Sequence, residues 1–245
     1  MKTNKYQYRF YRNWVKAGDL CLTRIMDKET DLEILTDKTI DKDFLKERIR
    51  QYRWDIENYI IKDRRFLTSL KPLAVELTAA DIVKKMSEAS RLADVGPMAA
   101  VAGAIAEFLG RDLLKKGHKE VIIENGGDIF LASRKVRVVG IYTGRLKLWQ
   151  GLSVRIRPKM TPLGICTSSG TIGHSLSFGC ADSVVVLSKN VALADAVATA
   201  TANRISSKQD VPAALSFSRS IKGISGTAII FRNNLASWGK IEFAR

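Results

Sequence analysis

The sequence predicts an α+β fold in a single compact domain, with helices packed on a mixed, antiparallel-rich sheet. Short apolar strands follow one another across turns, which favours antiparallel pairing. Longer segments between them carry apolar residues at helical spacing. The chain has 245 residues, of which 46% are hydrophobic and 27% are charged, so it can bury a core of ordinary size.

The first third of the chain predicts strands followed by two helices. Residues Tyr6 to Arg12 alternate aromatic and basic side chains, as a strand does. Residues Leu20 to Met26 and Leu32 to Thr36 predict a hairpin whose alternating polar positions leave one face wet. Amphipathic spacing predicts a helix over Asp41 to Lys62 and another over Ala80 to Ala93.

A helix rich in small residues is predicted next, between Asp94 and Gly117. Pro97 suits the first turn of this helix and Gly117 suits its C-terminal stop. Strands are predicted at Glu120 to Ile123 and Ile129 to Ala132. The Gly-Gly pair between them predicts either a tight hairpin turn or a backbone platform for a flat ligand.

The last half of the chain predicts short strands around two helices. Asn190 is a plausible N-cap for the first of these helices, Ala192 to Ile205, and the second covers Val211 to Arg219. The predicted strands are Val136 to Tyr142, Leu152 to Arg157, Ser183 to Leu187 and a final meander of Gly226 to Phe231, Ala236 to Trp238 and Ile241 to Ala244.

The cysteine count and the apolar windows predict a cytoplasmic protein outside the membrane. Cys21, Cys166 and Cys180 are an odd number with no C-x-x-C pair, which argues against a disulfide framework or a zinc site. We interpret Cys166 and Cys180 as small buried residues. The first residues lack the apolar core of a signal peptide, and the most apolar window, Val95 to Ala106, is too short to span a bilayer.

The formal net charge of +15 is compatible with a solvated basic surface, an anionic ligand, an acidic partner or nucleic acid. The basic residues are spread over many segments and mixed with acids. No zinc finger, RNP-like strand or basic arm accompanies them, so nucleic-acid binding would depend on charge alone. One of the two histidines, His118, falls in a predicted exposed turn and has no assigned role.

Asp195 and Thr199 are the candidate metal ligands. They stand four residues apart on a predicted helix, so their side chains share one face. A carboxylate and a hydroxyl suit Mg²⁺ or Ca²⁺ rather than zinc. The alternatives are an acid that favours the helix dipole and a threonine bonded to its own backbone.

A loop rich in Gly, Ser and Thr precedes the other histidine, His174. Small residues let backbone N–H groups approach phosphates closely, although such loops often carry no ligand. Together with the two candidate metal ligands, the loop suggests a metal–phosphate site.

Four segments together resemble the ApbE-type flavin transferase superfamily, and in particular a cytoplasmic branch of it. The resemblance covers about Asp94 to Ile205. It implies a single domain, in which residues 1–93 supply N-terminal strands and helices and residues 94–245 form the ligand-binding core. The segments are Asp94 to Ala99, Glu124 to Asp128, Thr167 to His174 and Ala194 to Ala200.

The resemblance implies a flavin nucleotide in a cleft, with FAD and Mg²⁺ as the bound species. Family members transfer FMN from FAD to a threonine hydroxyl of an acceptor protein and release AMP. The resemblance assigns the residues as follows: Asp195, Thr199 and the backbone near Pro97 to the metal; His174 and Asp128 to catalysis; and Asn125, Gly126, Gly127, Ser168, Ser169, Gly170 and Thr171 to the nucleotide.

The chain departs from the family pattern in ways that affect transfer more than binding. Relatives carry a Lys-Gly pair where this sequence has Ala99 to Gly103, and their His-Ile-x-Asp-Pro pattern is replaced after His174 by Ser175, Leu176 and Ser177. The sequence therefore leaves open an enzyme that cleaves FAD or transfers FMN, a flavin-binding module without transfer, and a nucleic-acid-associated protein. It also leaves open the acceptor protein and a homo-oligomer.

Overall fold

An eight-stranded sheet separates two hydrophobic cores in a computed structural model that describes residues 18–141, 147–169 and 179–244. The elements in chain order are β1 (Cys21–Asp27), β2 (Thr30–Thr36), α1 (Lys42–Lys62), α2 (Arg65–Thr68), α3 (Asp81–Ala93), a 3-10 helix (Pro97–Ala100), α4 (Val101–Lys115), β3 (Val121–Asn125), β4 (Asp128–Ala132), β5 (Arg137–Gly140), β6 (Ser153–Ile156), β7 (Leu163–Ser168), β8 (Ser183–Ser188), α5 (Val191–Asn203), α6 (Val211–Ser220), β9 (Ile224–Phe231), β10 (Asn234–Gly239) and β11 (Phe243–Ala244).

The large sheet has the strand order β1-β2-β3-β4-β7-β8-β9-β10, and neighbouring strands run antiparallel. Helices α4, α5 and α6 cover one face, with α5 against β7 and β8 at the centre, and α3 packs on α4 and α5. The predicted α+β class is confirmed. The sheet is antiparallel throughout the described part of the chain.

Side chains on the strands alternate between the two cores because successive residues point to opposite faces. Val184 and Val186 of β8 contact the helices, whereas Val185 and Leu187 belong to the second core. All four are at most 1% exposed. The central strands are therefore apolar on both faces, like strands of a sheet that is covered on both sides.

A small sheet of β11, β6 and β5 covers the second face. The predicted final meander was wrong in its last step, because β11 leaves the large sheet and pairs with β6. The backbone of Arg155 on β6 donates to the carbonyl of Glu242, next to β11, at 2.8 Å.

Local sequence signals explain most helix ends. The Asp41 side chain accepts the Asp43 N–H at 2.9 Å and begins α1, and Asn190 accepts the Leu193 N–H at 3.1 Å and begins α5 as predicted. Pro97 begins the short 3-10 turn that precedes α4.

Two sequence interpretations need correction, and a third is not tested by the described residues. The hairpin strand β2 is buried on both faces from Leu32 to Thr36 because small-sheet and helix residues cover it, so the expected wet face belongs to β1 alone. The segment preceding His174 does not begin as a loop, because Leu163–Ser168 forms β7. The predicted strand Tyr6 to Arg12 lies outside the described residues.

No single helix in the described ranges is long and apolar enough to cross a membrane. Helix α3 and the segment Pro97–Lys115 are long and apolar enough only when they are taken together, and the chain bends by 103° between them.

Candidate functional site

Asp195 lies on the first turns of α5 and faces the start of α4. Its Oδ2 accepts the backbone N–H of Gly103 at 2.8 Å, and the side chain is only 8% exposed. The first N–H groups of a helix have no partner within the helix, and the helix dipole favours an anion there. Asp195 therefore does interact favourably with a helix dipole, as one alternative expected, but the helix is α4 and not α5.

Glu107 makes the reverse contact, from α4 to the start of α5. Its Oε2 accepts the N–H of Val191 at 2.7 Å and that of Ala192 at 3.4 Å. Its Oε1 accepts from Arg111 at 2.6 Å, and Glu107 is 2% exposed. Each helix thus places one carboxylate on the N-terminus of the other.

Gly103 allows this close approach of the two helices. A Cβ at this position would lie 2.7 Å from the carbonyl oxygen of Val191 and 2.8 Å from the Cβ of Asp195. Both separations are shorter than van der Waals contact. Any larger residue at position 103 would push α4 away from α5 and from the Asp195 carboxylate.

A second buried carboxylate, Asp128, begins β4 near the same point. It pairs with Cys166 across the β4–β7 ladder, and both residues are buried. Its Oδ1 is buried and has no hydrogen-bond partner among the described residues. A buried acceptor without a partner is costly, so this oxygen is a strong pointer to a ligand or a proton.

The two carboxylates disfavour each other's ionised form. Burial raises the pKa of Asp195 to about 7, against the opposing effect of the Gly103 and Ala102 N–H groups. Burial and then the charge of Asp195 raise the pKa of Asp128 well above its ordinary value. Burial and then the charge of Asp128 likewise raise the pKa of the Cys166 thiol. In the absence of a cation, the site therefore retains a proton near neutral pH.

The glycine pair forms the hairpin turn between β3 and β4, as one of the two interpretations predicted. Gly126 has φ +67° and Gly127 has φ +105°. The Gly127 N–H donates to Glu124 Oε1 at 2.8 Å, and the Asn125 amide donates to the Ala102 carbonyl at 3.1 Å. Asn125 and Asp195 thus bind adjacent residues at the start of α4, which brings the turn and the helical acid to one place.

The other predicted metal ligands lie on α5 itself and on the 3-10 helix beside it. Thr199 is half-buried, one turn after Asp195 on α5, and Pro97 is buried at the start of the 3-10 helix that packs against α5. No three His, Cys, Asp or Glu side chains of the described ranges cluster as a metal site. The predicted donor set combines a carboxylate, a hydroxyl and a backbone carbonyl, which is a different kind of site.

The loop part of the predicted site is described only at its start. Ser168 is the last residue of β7 and Ser169 follows it, and both are half-buried. Gly170, Thr171 and His174 lie outside the described residues, so their assignments stay predictions.

Sequence reasoning missed Glu107 and Gly103 and mistook two other residues. His118 is buried and its Nδ1 lies 3.2 Å from Asp37 Oδ1, so it is not in an exposed turn. Cys180 is exposed, not buried. A glutamate inside an otherwise apolar helix stretch was the one available signal for Glu107.

The family model described as "AbpE bacteria" matches residues 12–220. The chain belongs to this family. The match extends beyond the segments that carried the resemblance and includes the N-terminal hairpin, α1 and α3.

Archaeal relatives share much of the sequence. A UPF0280 protein of Methanocaldococcus jannaschii is 41% identical over 89% of this chain and 90% of its own length. A UPF0280 protein of Methanobrevibacter smithii is 42% identical over 87% of this chain and 91% of its own length.

Solved structures share the fold at low sequence identity. The flavin transferase ApbE of Vibrio cholerae superposes with a TM-score of 0.59 at 13% identity, covering 90% of this chain and 96% of that one. The ApbE protein of Thermotoga maritima superposes with a TM-score of 0.61 at 11% identity, covering 91% and 96%. At these identities the likeness concerns the fold, and it confirms the predicted ApbE-like architecture.

Proposed function

We propose that the protein binds FAD together with Mg²⁺ at the Asp195 site and cleaves the FAD pyrophosphate, with FMN transfer to an acceptor protein as the family variant of that reaction. The observation that carries the proposal is the pair of buried carboxylates, one of which has an oxygen without a partner. A divalent cation would neutralise both charges and complete the coordination of that oxygen.

The residues present fit such a cation. The buried Oδ1 of Asp128 lacks a partner, and a carboxylate can accept at both oxygens, so Asp195 can hold the Gly103 N–H and still bind a metal. Thr199 and the carbonyl near Pro97 would add hard oxygen donors. When bound, Mg²⁺ supplies charge neutralisation and polarisation of the phosphoryl oxygens.

The chain's own residues supply positioning for the reaction. Attack on a pyrophosphate depends mainly on orientation and electrostatics. The hydroxyl of water or of an acceptor threonine bonds to the phosphorus of the FMN half, the bridging P–O bond breaks, and AMP leaves with the bridging oxygen. The proton of the attacking hydroxyl passes to a base, the role that we propose for His174.

The turn at Gly126 and Gly127 offers a backbone surface for the flavin nucleotide. A Cβ added at Gly126 would meet no atom within 4 Å, so one face of the turn is open. The contact between Gly127 and Glu124 holds the turn in one conformation. Glycine at both positions lets a flat ring approach the backbone.

A flavin-binding module without transfer is the second candidate. It is favoured by the start of α4, where relatives carry a lysine. Here the positions from Ala99 to Gly103 carry no lysine, Ala100 is fully buried and Gly103 packs on α5, so the start of α4 supplies no cationic side chain to the proposed metal site. Binding by this module would need no phosphoryl chemistry.

Isothermal titration with FAD, with and without Mg²⁺, followed by chromatography for AMP and FMN, tests the proposal. We expect Mg²⁺-dependent binding and AMP release, and Asp195→Ala should abolish the Mg²⁺ dependence while far-UV circular dichroism is retained. Asp43→Asn, at a side chain that is 90% exposed on α1, is the matched control and should bind like the parent.

Three outcomes contradict parts of the proposal. Binding without AMP release favours the module. An unchanged Mg²⁺ dependence in Asp195→Ala refutes the metal assignment. Absence of FAD binding, combined with salt-sensitive binding of any oligonucleotide, favours the nucleic-acid hypothesis.

A further inference from the structure

The starts of α4 and α5 are held together by two carboxylates, each of which comes from the opposite helix. Asp195 of α5 accepts the Gly103 N–H, and Glu107 of α4 accepts the Val191 and Ala192 N–H groups. Either contact restricts the other, because both join the same two helix ends.

Glu107 is held more firmly than Asp195. Arg111 bonds its Oε1 through both Nε, at 2.9 Å, and Nη2, at 2.6 Å, and its Oε2 remains on α5. Asp195 faces the backbone N–H groups of Gly103, at 2.8 Å, and Ala102, so its orientation depends on where α4 places them. The contacts therefore run from Arg111 through Glu107 to the start of α5 and then to Asp195.

We infer that Glu107 is a positioning residue for the Asp195 cation site, an inference that rests on the proposed function. Glu107 fixes the start of α5 against α4 and so sets the direction in which Asp195 presents its carboxylate. It is not a ligand, because its oxygens are occupied by Arg111 and by the two N–H groups of α5. Residues that orient a metal ligand typically change metal affinity 10–100-fold when they are replaced.

A capping role alone would have a different signature, and α5 offers the matched control. Asn190 caps the same helix by accepting the Leu193 N–H at 3.1 Å. Asn190 is the residue directly before α5, so this contact does not connect α5 to α4. Asn190→Ala and Glu107→Gln both remove support from the first turn of α5. Only Glu107→Gln weakens the connection between the helices.

The test is titration of the full-length protein with Mn²⁺ alone, followed by electron paramagnetic resonance. We expect Glu107→Gln to raise the Mn²⁺ dissociation constant about tenfold, whereas Asn190→Ala leaves it within about twofold although it lowers the melting temperature. Equal dissociation constants in the two variants would overturn the inference. Should Glu107→Gln fail to fold, Glu107→Asp keeps the charge, withdraws the carboxylate by one methylene, and should show the same order of affinities.

A second readout separates this inference from the proposed function. Hydrogen exchange of the Gly103 amide reports the Asp195 contact without any metal. If the parent protein binds no Mn²⁺, the metal proposal fails, and faster Gly103 exchange in Glu107→Gln than in Asn190→Ala still supports positioning by Glu107. Equal exchange rates in the two variants would refute it.

Discussion

Asp195 and Asp128 are the residues whose protonation should control the stability of the metal-free protein. Burial raises the pKa of Asp195 to about 7 in the folded state, from the ordinary value of 3.8 that represents the unfolded chain. The folded state therefore binds the proton more tightly. Its contribution to stability is complete below about pH 4 and is lost as the pH rises through 7.

The prediction is that Asp195→Asn gains stability relative to the parent as the pH rises. Asn imitates the protonated acid and does not titrate, so the free energy of unfolding of the variant relative to the parent should grow between pH 5 and pH 8, by up to a few kcal/mol. Urea denaturation at both pH values measures this difference. Asp43→Asn should show no such trend, and a pH-independent difference for Asp195→Asn would contradict the assignment.

Single residues of the site differ in how far the sequence could predict them. Asp195 and Thr199 follow from helical spacing, and Asn125 and Asp128 follow from a family motif. The contacts of Glu107 and Gly103 could not be predicted, because they join positions 84 and 92 residues apart, and the apolar surroundings of Glu107 in the sequence do not show what it binds. The unpartnered Oδ1 of Asp128 is also a property of the packed structure alone.

At the scale of elements, the β3–β4 turn gives the sharpest prediction, because the same substitution should behave differently at two adjacent positions. Gly126 has a φ of +67°, in the left-handed region that Asn tolerates. Gly127 has a φ of +105°, outside that region. Gly126→Asn should change the free energy of unfolding by less than about 0.5 kcal/mol, and Gly127→Asn should lower it by roughly 1–3 kcal/mol.

Urea denaturation of the two turn variants, monitored by circular dichroism, checks this prediction. Equal losses would mean that a feature other than backbone conformation limits the turn. The turn could be predicted because Gly-Gly between apolar strands has a local cause. The strand β7 was harder to predict, because its Gly and Ser residues favour a loop and only its tertiary neighbours make it a strand.

At the scale of the whole molecule, the large sheet connects the two hydrophobic cores, because each of its faces lines one of them. Ile229 and Ile230 are adjacent on β9, both fully buried, and they face opposite cores. Ile229→Ala and Ile230→Ala should each lower the free energy of unfolding by about 2–5 kcal/mol. Both should shift the same single transition, because the strands that line one core also line the other.

Unfolding in urea, followed in parallel by tryptophan fluorescence and far-UV circular dichroism, tests whether the molecule unfolds in a single transition. Separate transitions for one variant would show that the small sheet unfolds independently. The α+β class could be predicted from strand and helix spacing, but the small sheet could not. Its strands are two to four residues long and pair across distant parts of the chain.

The reciprocal contacts of α4 and α5 also determine when the site can form during synthesis. The ribosome makes α4 and the β3–β4 hairpin long before Val191 and Asp195 emerge, because the partner of the Gly103 N–H lies 92 residues further along the chain. Until then Glu107 has no α5 amides to bind, and the start of α4 has no acid to accept its N–H groups. A nascent chain that ends before α5 therefore contains the turn and Asp128 but lacks Asp195 and the amides that Glu107 binds, so the proposed cation site can form only after α5 has been synthesised.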